Sequence, residues 1–181
     1  NLLKPGQTPS QNAQFLLFLA AFIKGVDEYQ EMLRCCVSYP GNDHRLGGHE
    51  APPAIVSVFL GDELTAILES IIAGRDYVDV TKKKLEIGVD TMPVIPQDTT
   101  DRNRTSPLAF TGNKFEFRML GSSQSIADSN IALNTIMAVE LGKIADELEK
   151  ADDFETALHK LVCRIFTDHQ RIIFNGNGYS I

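Results

Sequence analysis

The stretch TGNKFEFRM, residues 111–119, alternates apolar and charged side chains and therefore decides how this part of the chain folds. The apolar positions are Phe115, Phe117 and Met119. The charged positions between them are Lys114, Glu116 and Arg118. Successive side chains of a β-strand point to opposite faces, so this period of two predicts a strand with one apolar and one ionic face. The ionic face looks either into bulk water or into a binding site.

The composition limits the class of protein. The chain has 181 residues, 43% of them hydrophobic, which is enough for one sizeable core. Its net charge of −7 argues against a nucleic-acid or membrane-surface partner, since either favours a basic patch. No apolar run reaches the roughly 20 residues that span a bilayer. The three cysteines lack a CxxC spacing, which predicts reduced thiols in a cytoplasmic protein.

Hydrophobic periodicity predicts four helical segments, at residues 9–37, 52–74, 125–150 and 154–174. The first is apolar nearly all round, which predicts burial on most sides. Residues 55–60 also suit a strand, because Ile, Val and Phe dominate them. The apolar positions of the third segment are Ile131, Met137, Leu141, Ile144 and Leu148. The fourth carries one amphipathic stripe, formed by Leu158, Leu161, Val162, Ile165 and Phe166.

Two irregular regions, residues 39–53 and 81–125, predict loops and strands that carry the chemistry. Residues 101–119 reverse the acidic character of the chain, and their basic residues are Arg102, Arg104, Lys114 and Arg118. Guanidinium groups grip carboxylates or phosphates, so the cluster suits an anionic substrate, and Glu116 could supply an oxygen ligand to Mg²⁺. A solvated strand with salt bridges remains the alternative.

The loop at residues 39–53 holds histidine, arginine and carboxylate side chains around two adjacent glycines. It predicts either a flap that presents an arginine and a carboxylate to a substrate, or a plain surface loop. The zinc motif HExxH is absent from it. The tail at residues 174–180 lacks the spacing of a phosphate-binding loop and predicts a structural turn.

Two motifs together, residues 42–61 and 101–119, resemble the catalytic domain of the type III glutamine synthetases. Residues 1–26 and 171–180 resemble the same family, so the resemblance covers essentially the whole chain. It implies an α+β fold with an antiparallel sheet and packed helices. Within it, residues 1–181 are expected to form part of the C-terminal catalytic domain.

The resemblance also implies an activity. Members of this family use ATP as co-substrate, with Mg²⁺ or Mn²⁺, to convert glutamate into γ-glutamyl phosphate, which ammonia attacks to give glutamine. The active sites lie between the subunits of a ring-shaped homo-oligomer. Glutamate, ammonia and ATP are therefore the expected partners, and the expected location is the cytoplasm.

The resemblance assigns roles on the flap and on the first half of the second motif. Arg45 resembles the arginine that contacts the glutamate substrate. Glu50 resembles the flap glutamate that closes the site and accepts a proton from the nucleophile. Asn103 and Arg104 belong to the Asn-Arg-Ser/Thr motif that contacts the nucleotide phosphates and the transferring phosphoryl group.

The resemblance assigns the ionic face of residues 114–118 to the active site. Lys114 stands where the family has a basic residue near the phosphates of ATP. Glu116 resembles a carboxylate ligand of the metal that bridges those phosphates. Arg118 resembles the arginine near the glutamate carboxylate and the γ-phosphate.

This sequence also departs from the family pattern. The sequence PLAF, residues 107–110, stands where the broader family has a second arginine. The paired-glutamate strands and the His-x-His metal motif of the family are absent from these residues, and Glu116 is the one expected metal ligand present. We therefore expect the chain alone to be inactive. Two alternatives remain: a γ-glutamyl ligase for another amine, and a helical assembly module without catalysis.

Overall fold

The computed structural model describes residues 2–46, 55–75, 84–85, 95–96, 106–121 and 123–176, with only the backbone described at 84–85 and 95–96. The α-helices are α1 Ala13–Glu28, α2 Gln30–Cys36, α3 Pro40–Asp43, α4 Asp62–Ile72, α5 Ala127–Leu148 and α6 Phe154–His169. The strands are β1 Val58–Phe59, β2 Lys84–Leu85, β3 Ile95–Pro96, β4 Leu108–Phe110 and β5 Phe115–Phe117. Two 3-10 turns lie at Pro9–Gln11 and Gln170–Ile172.

Helix α1 forms the centre of the core and packs against α5 and α6. Its four consecutive residues Ala20, Ala21, Phe22 and Ile23 are all buried, which confirms the predicted burial on most sides. The helix begins after Asn12, whose side-chain oxygen accepts a hydrogen bond from the backbone N–H of Phe15 at 3.0 Å. This cap satisfies one of the N–H groups that the first helical turn leaves without a partner.

The buried stripe of helix α5 includes two of its five predicted apolar residues, Ile144 and Leu148. Met137 and Leu141 are partly buried against the same core. The buried positions recur every fourth residue and are Ala132, Ile136, Glu140, Ile144 and Leu148. Ile131 was expected to face the core but is 63% exposed. The contact with α1 decides the stripe, because a Cβ atom on Gly25 would lie 2.5 Å from Cγ2 of Ile136. This close approach also buries Glu140 beside α1.

Helix α6 matches its prediction more closely. Leu161, Val162, Ile165 and Phe166 are buried. Leu158 is partly buried and packs against the same core. A side-chain oxygen of Asp153 accepts a hydrogen bond from the backbone N–H of Thr156 at 3.2 Å and so caps the start of the helix.

The three-stranded sheet has the order β1-β4-β5. Strand β1 pairs with β4 in parallel, and β4 pairs with β5 antiparallel, so the sheet is mixed and the expectation of an antiparallel sheet was wrong. Parallel neighbours need a long crossover connection, and here the chain between Phe59 and Leu108 contains α4. Strands β2 and β3 form a separate antiparallel pair.

The region at residues 55–60 forms the strand that the sequence offered as an alternative, at Val58–Phe59, and α4 follows it.

In the part of the chain that the structure describes, no helix is long and apolar enough to cross a membrane. All three cysteines are free thiols.

Candidate functional site

The strand predicted from residues 111–119 is β5, and its apolar side faces the core. The ring of Phe115 stacks on Phe22 of α1, with centroids 3.8 Å apart and planes 14° from parallel. It also contacts Phe110 of β4 in a tilted arrangement, with centroids 5.3 Å apart. These contacts fix which way β5 faces and leave its charged residues on the opposite side.

The three charged residues of that side form one ion-paired row, as their period of two predicted. Nη2 and Nε of Arg118 lie 3.0 and 3.1 Å from Oε2 of Glu116. Nζ of Lys114 lies 3.4 Å from Oε1 of the same carboxylate. We call Lys114, Glu116 and Arg118 the charged row.

The charged row remains accessible to solvent. The side chains of Lys114, Glu116 and Arg118 are 63%, 38% and 25% exposed. The hydrogen bond from Arg118, more than that from Lys114, lowers the pKa of Glu116 below its ordinary value. Glu116 is therefore ionised at neutral pH, and two cations face one anion. A solvated strand with salt bridges has these features, and so does a site that receives an anionic substrate.

The charged row can supply one ligand to a metal ion. The ionised Glu116 meets the requirement of Mg²⁺ for a charged oxygen ligand. Within the described ranges, however, no three His, Cys, Asp or Glu residues are grouped so that they could hold a metal ion. Mg²⁺ usually keeps several waters and takes one or two carboxylates together with substrate phosphates. Glu116 thus fits as one member of a larger ligand set.

Arg45 follows the short helix α3 and has an exposed side chain. Its backbone N–H donates to the carbonyl of Asn42 at 2.9 Å, which holds the turn that presents it. Helix α3 is tied to α2, because Nη2 of Arg34 lies 3.0 Å from Oδ1 of Asp43.

Asn42 connects the described part of the loop at residues 39–53 with the segment that follows β5. Its side chain is buried, and its Nδ2 donates to the carbonyl of Leu120 at 3.2 Å and to that of Val37 at 3.4 Å. The structure therefore brings together the two regions that the sequence marked separately as carriers of chemistry. Sequence reasoning missed Asn42, because one asparagine in a loop is an ordinary turn residue.

Ser106, directly after the Asn-Arg-Thr motif, is held in a buried hydrogen-bond chain. It is 1% exposed, and its hydroxyl donates to the carbonyl of Phe174 at 2.8 Å and accepts from the hydroxyl of Ser57 at 2.9 Å. The start of β4 is thereby fixed to β1 and to the tail.

The tail also holds the start of α4. Oδ1 of Asn175 accepts from the backbone N–H groups of Leu60 and Gly61, at 3.0 and 3.1 Å, and its Nδ2 donates to the hydroxyl of Thr65 at 2.7 Å. These bonds tie the tail to the turn that precedes α4 and to the first turn of the helix. Asn175 thus has a structural role, in keeping with the prediction for the tail.

Three predicted site residues, Glu50, Asn103 and Arg104, lie outside the described residues. Of the predicted site residues, the structure describes the other four, which are Arg45, Lys114, Glu116 and Arg118. A cavity of about 580 Å³ lies between α1, α4 and α6, and none of these four residues lines it.

Comparison with known proteins identifies the class. No family model matches the chain. The chain is 42% identical over 187 residues to a glutamine synthetase of Bacteroides fragilis and 41% identical over 183 residues to one of Butyrivibrio fibrisolvens. Both similarities cover 99% of the chain. Over almost its whole length, the chain is therefore similar to part of a glutamine synthetase.

A further relative narrows the class. The chain is 50% identical over 183 residues, again 99% of its length, to a type-3 glutamine synthetase of Dictyostelium discoideum. This confirms the resemblance to the type III enzymes. The chain spans about a quarter of the length of these relatives, between 25% and 26%.

Proposed function

We propose that this chain contributes part of the active site of an ATP-dependent glutamate–ammonia ligase. A γ-carboxylate oxygen of glutamate attacks the γ-phosphorus of ATP, ADP leaves, and ammonia then displaces phosphate from the γ-glutamyl phosphate to give glutamine. The main support is the charged row: a carboxylate and two cations held on one accessible strand face, in a chain 50% identical to a type-3 glutamine synthetase.

Arg45 and Arg118 are proposed to bind the glutamate substrate. A guanidinium group binds a carboxylate through two parallel hydrogen bonds, and Arg118 already makes such contacts to Glu116 through Nε and Nη2. Arg118 is also proposed to neutralise charge on the γ-phosphoryl group as it transfers. Phosphoryl transfer relies on this kind of positioning and charge neutralisation rather than on covalent help.

The nucleotide is proposed to lie against Asn103, Arg104 and Lys114. Lys114 carries the most exposed cation of the charged row, so it can leave Glu116 for a phosphate at little cost. Glu116 would hold Mg²⁺ together with phosphate oxygens and further ligands. When bound, that ion neutralises charge on the nucleotide phosphates.

Glu50 is proposed to close the flap over the acyl phosphate and to accept a proton from the attacking ammonium-derived nucleophile. Exclusion of water by such a flap protects the acyl phosphate from hydrolysis.

The ligase is proposed to act in the cytoplasm. The free thiols of its three cysteines are consistent with that reducing compartment.

The ligase is proposed to be a homo-oligomer with active sites between subunits. Support comes from α5 and the residue before it, where Ile126, Ile131 and Val139 are 74%, 63% and 40% exposed. Exposed apolar residues of this kind favour association with another surface. Light scattering on the full-length protein tests the assembly, and a monomer would contradict it.

The activity is tested with the full-length protein that carries this sequence. Phosphate release from ATP should require glutamate and ammonium together and should match glutamine formation. Turnover with another amine but not with ammonium would instead indicate a different γ-glutamyl ligase, and no turnover with any amine would favour an assembly module. Arg118→Ala should raise KM for glutamate and lower kcat. The matched control Arg164→Ala removes an exposed arginine that pairs with Glu147 on the helical side, and it should leave both unchanged.

A further inference from the structure

We infer that Asn42 is a positioning residue for glutamate recognition, because it fixes Arg45 relative to Arg118. The inference rests on the proposed function, in which both arginines bind the glutamate substrate. Asn42 itself would not touch the substrate, and its effect would pass through the arginine that follows it on the flap.

The geometry is a short path of hydrogen bonds between the two arginines. The N–H of Arg45 donates to the carbonyl of Asn42 at 2.9 Å, and the N–H of Leu46 donates to the same carbonyl at 3.1 Å. The Asn42 side chain in turn donates to the carbonyl of Leu120 at 3.2 Å. Leu120 lies two residues after Arg118.

The other end of the path is anchored in the sheet. The N–H of Arg118 donates to the carbonyl of Pro107 at 2.7 Å, next to β4. Arg118 is therefore held at the end of β5 against the sheet, whereas Arg45 lies in the turn after a four-residue helix. The Asn42–Leu120 hydrogen bond connects the flap segment to the segment that follows β5 and so fixes its position relative to the sheet.

The chemistry of this position requires an amide. Its two N–H groups serve two backbone carbonyls, those of Val37 and Leu120, and an aspartate of the same shape has no donor for either. Asn42 is only 6% exposed, so a lost donor would leave carbonyls without a partner in a buried place.

Gly121 makes room for this contact. Its φ of +118° lies in the region that L side chains rarely adopt. A Cβ atom at this position would lie 3.4 Å from Nδ2 of Asn42 and 3.2 Å from the side chain of Gln124. The chain therefore turns next to Leu120 in a form that lets the amide reach its carbonyl.

The experiment measures KM for glutamate and for ATP in the full-length protein. Asn42→Ala and Asn42→Asp should each raise KM for glutamate by about tenfold or more, because misplacement of a binding group by an ångström costs up to about 10²-fold. KM for ATP should stay within about twofold. The control Asn134→Ala removes an exposed asparagine of α5 whose side chain donates to the nearby carbonyl of Asn130, and it should change neither constant.

A double-mutant cycle separates positioning from general damage. If Asn42 acts through Arg45, then Asn42→Ala should have little further effect on KM for glutamate once Arg45 is already alanine. Additive effects would overturn the inference, and so would equal rises in both KM values. Failure of both Asn42 variants to fold would assign the residue to stability and also overturn it.

The same data distinguish this inference from the proposed function. If Arg45→Ala leaves KM for glutamate unchanged, the assigned role of Arg45 is wrong, and the positioning inference falls with it. If Arg45→Ala raises that KM and Asn42→Ala does not, only the positioning inference fails.

Discussion

The carboxylate of Glu140, buried between α1 and α5, is paired with the ammonium group of Lys24. Lys143 also binds Glu140, at 2.6 Å, and both lysines bind Glu28, at 3.2 and 3.5 Å. Burial opposes ionisation of Glu140, but the hydrogen bonds and charges of the two lysines outweigh it and lower its pKa. Helices α1 and α5 are thus joined by an ion pair at a buried position, where the apolar pattern predicts hydrophobic packing.

Removal of one partner should destabilise the protein more than replacement of both. Lys24→Met leaves Glu140 in a buried place with Lys143 as its remaining cation, and we expect a loss of about 2–4 kcal/mol in the free energy of unfolding. The double change Lys24→Met with Glu140→Leu should recover most of it, since an apolar pair can replace a buried ion pair. Urea denaturation measures all three proteins. A double mutant less stable than Lys24→Met would contradict this account.

Acid should weaken the same contact. The pKa of Glu140 is lowered by folding from its ordinary value of 4.5, so its stabilising contribution is complete above pH 4.5 and is lost as the pH falls through the lower, folded value. The wild-type protein should lose stability across that window. Glu140→Gln should show a smaller slope of stability against pH there, measured by urea denaturation at each pH. Equal slopes would show that other carboxylates account for the acid sensitivity.

Gly25→Ala should destabilise the protein although alanine favours helices. The new Cβ would lie 2.5 Å from Cγ2 of Ile136, which is stiff because it is β-branched. Overpacking costs about 1–3 kcal/mol and outweighs the gain of about 1 kcal/mol in helix propensity. Gly142→Ala is the matched control, since its Cβ would meet nothing within 4 Å, and it should stabilise α5. Thermal unfolding of the two variants should shift in opposite directions.

The charged row should respond unequally to loss of its two cations. Arg118→Ala should raise the pKa of Glu116 more than Lys114→Ala does, because the hydrogen bond from Arg118 contributes most to the lowering. Carboxyl ¹³C NMR titration measures this shift without any substrate. A larger effect from Lys114→Ala would mean that Arg118 does not hold Glu116 in solution as described.

Loss of the flap carboxylate should uncouple the proposed reaction. Glu50→Ala in the full-length protein should lower kcat by roughly 10²–10⁴, the usual effect of removing a general base. It should also let water compete for the acyl phosphate, so that more phosphate is released than glutamine is formed. A ratio that stays near one, with a rate near wild type, would remove Glu50 from this role.

The sequence by itself determined the local elements that depend on short-range pattern. The period of two in residues 111–119 gave β5 and its charged row, because neighbouring side chains of a strand must point to opposite faces. The amphipathic stripe of α6 and the burial of α1 followed in the same way from apolar spacing. Two motifs also indicated a resemblance to the type III glutamine synthetases, and the comparisons confirmed it.

The tertiary structure alone decided how distant segments meet. The parallel pairing of β1 with β4 depends on a long crossover, and the buried stripe of α5 depends on how closely Gly25 lets α1 approach. The side chain of Asn42 bonds to the carbonyl of Leu120, which lies 78 residues further along the chain. Such contacts arise from the packing of whole elements and from the need to satisfy buried polar groups, and neither leaves a periodic signal in the chain.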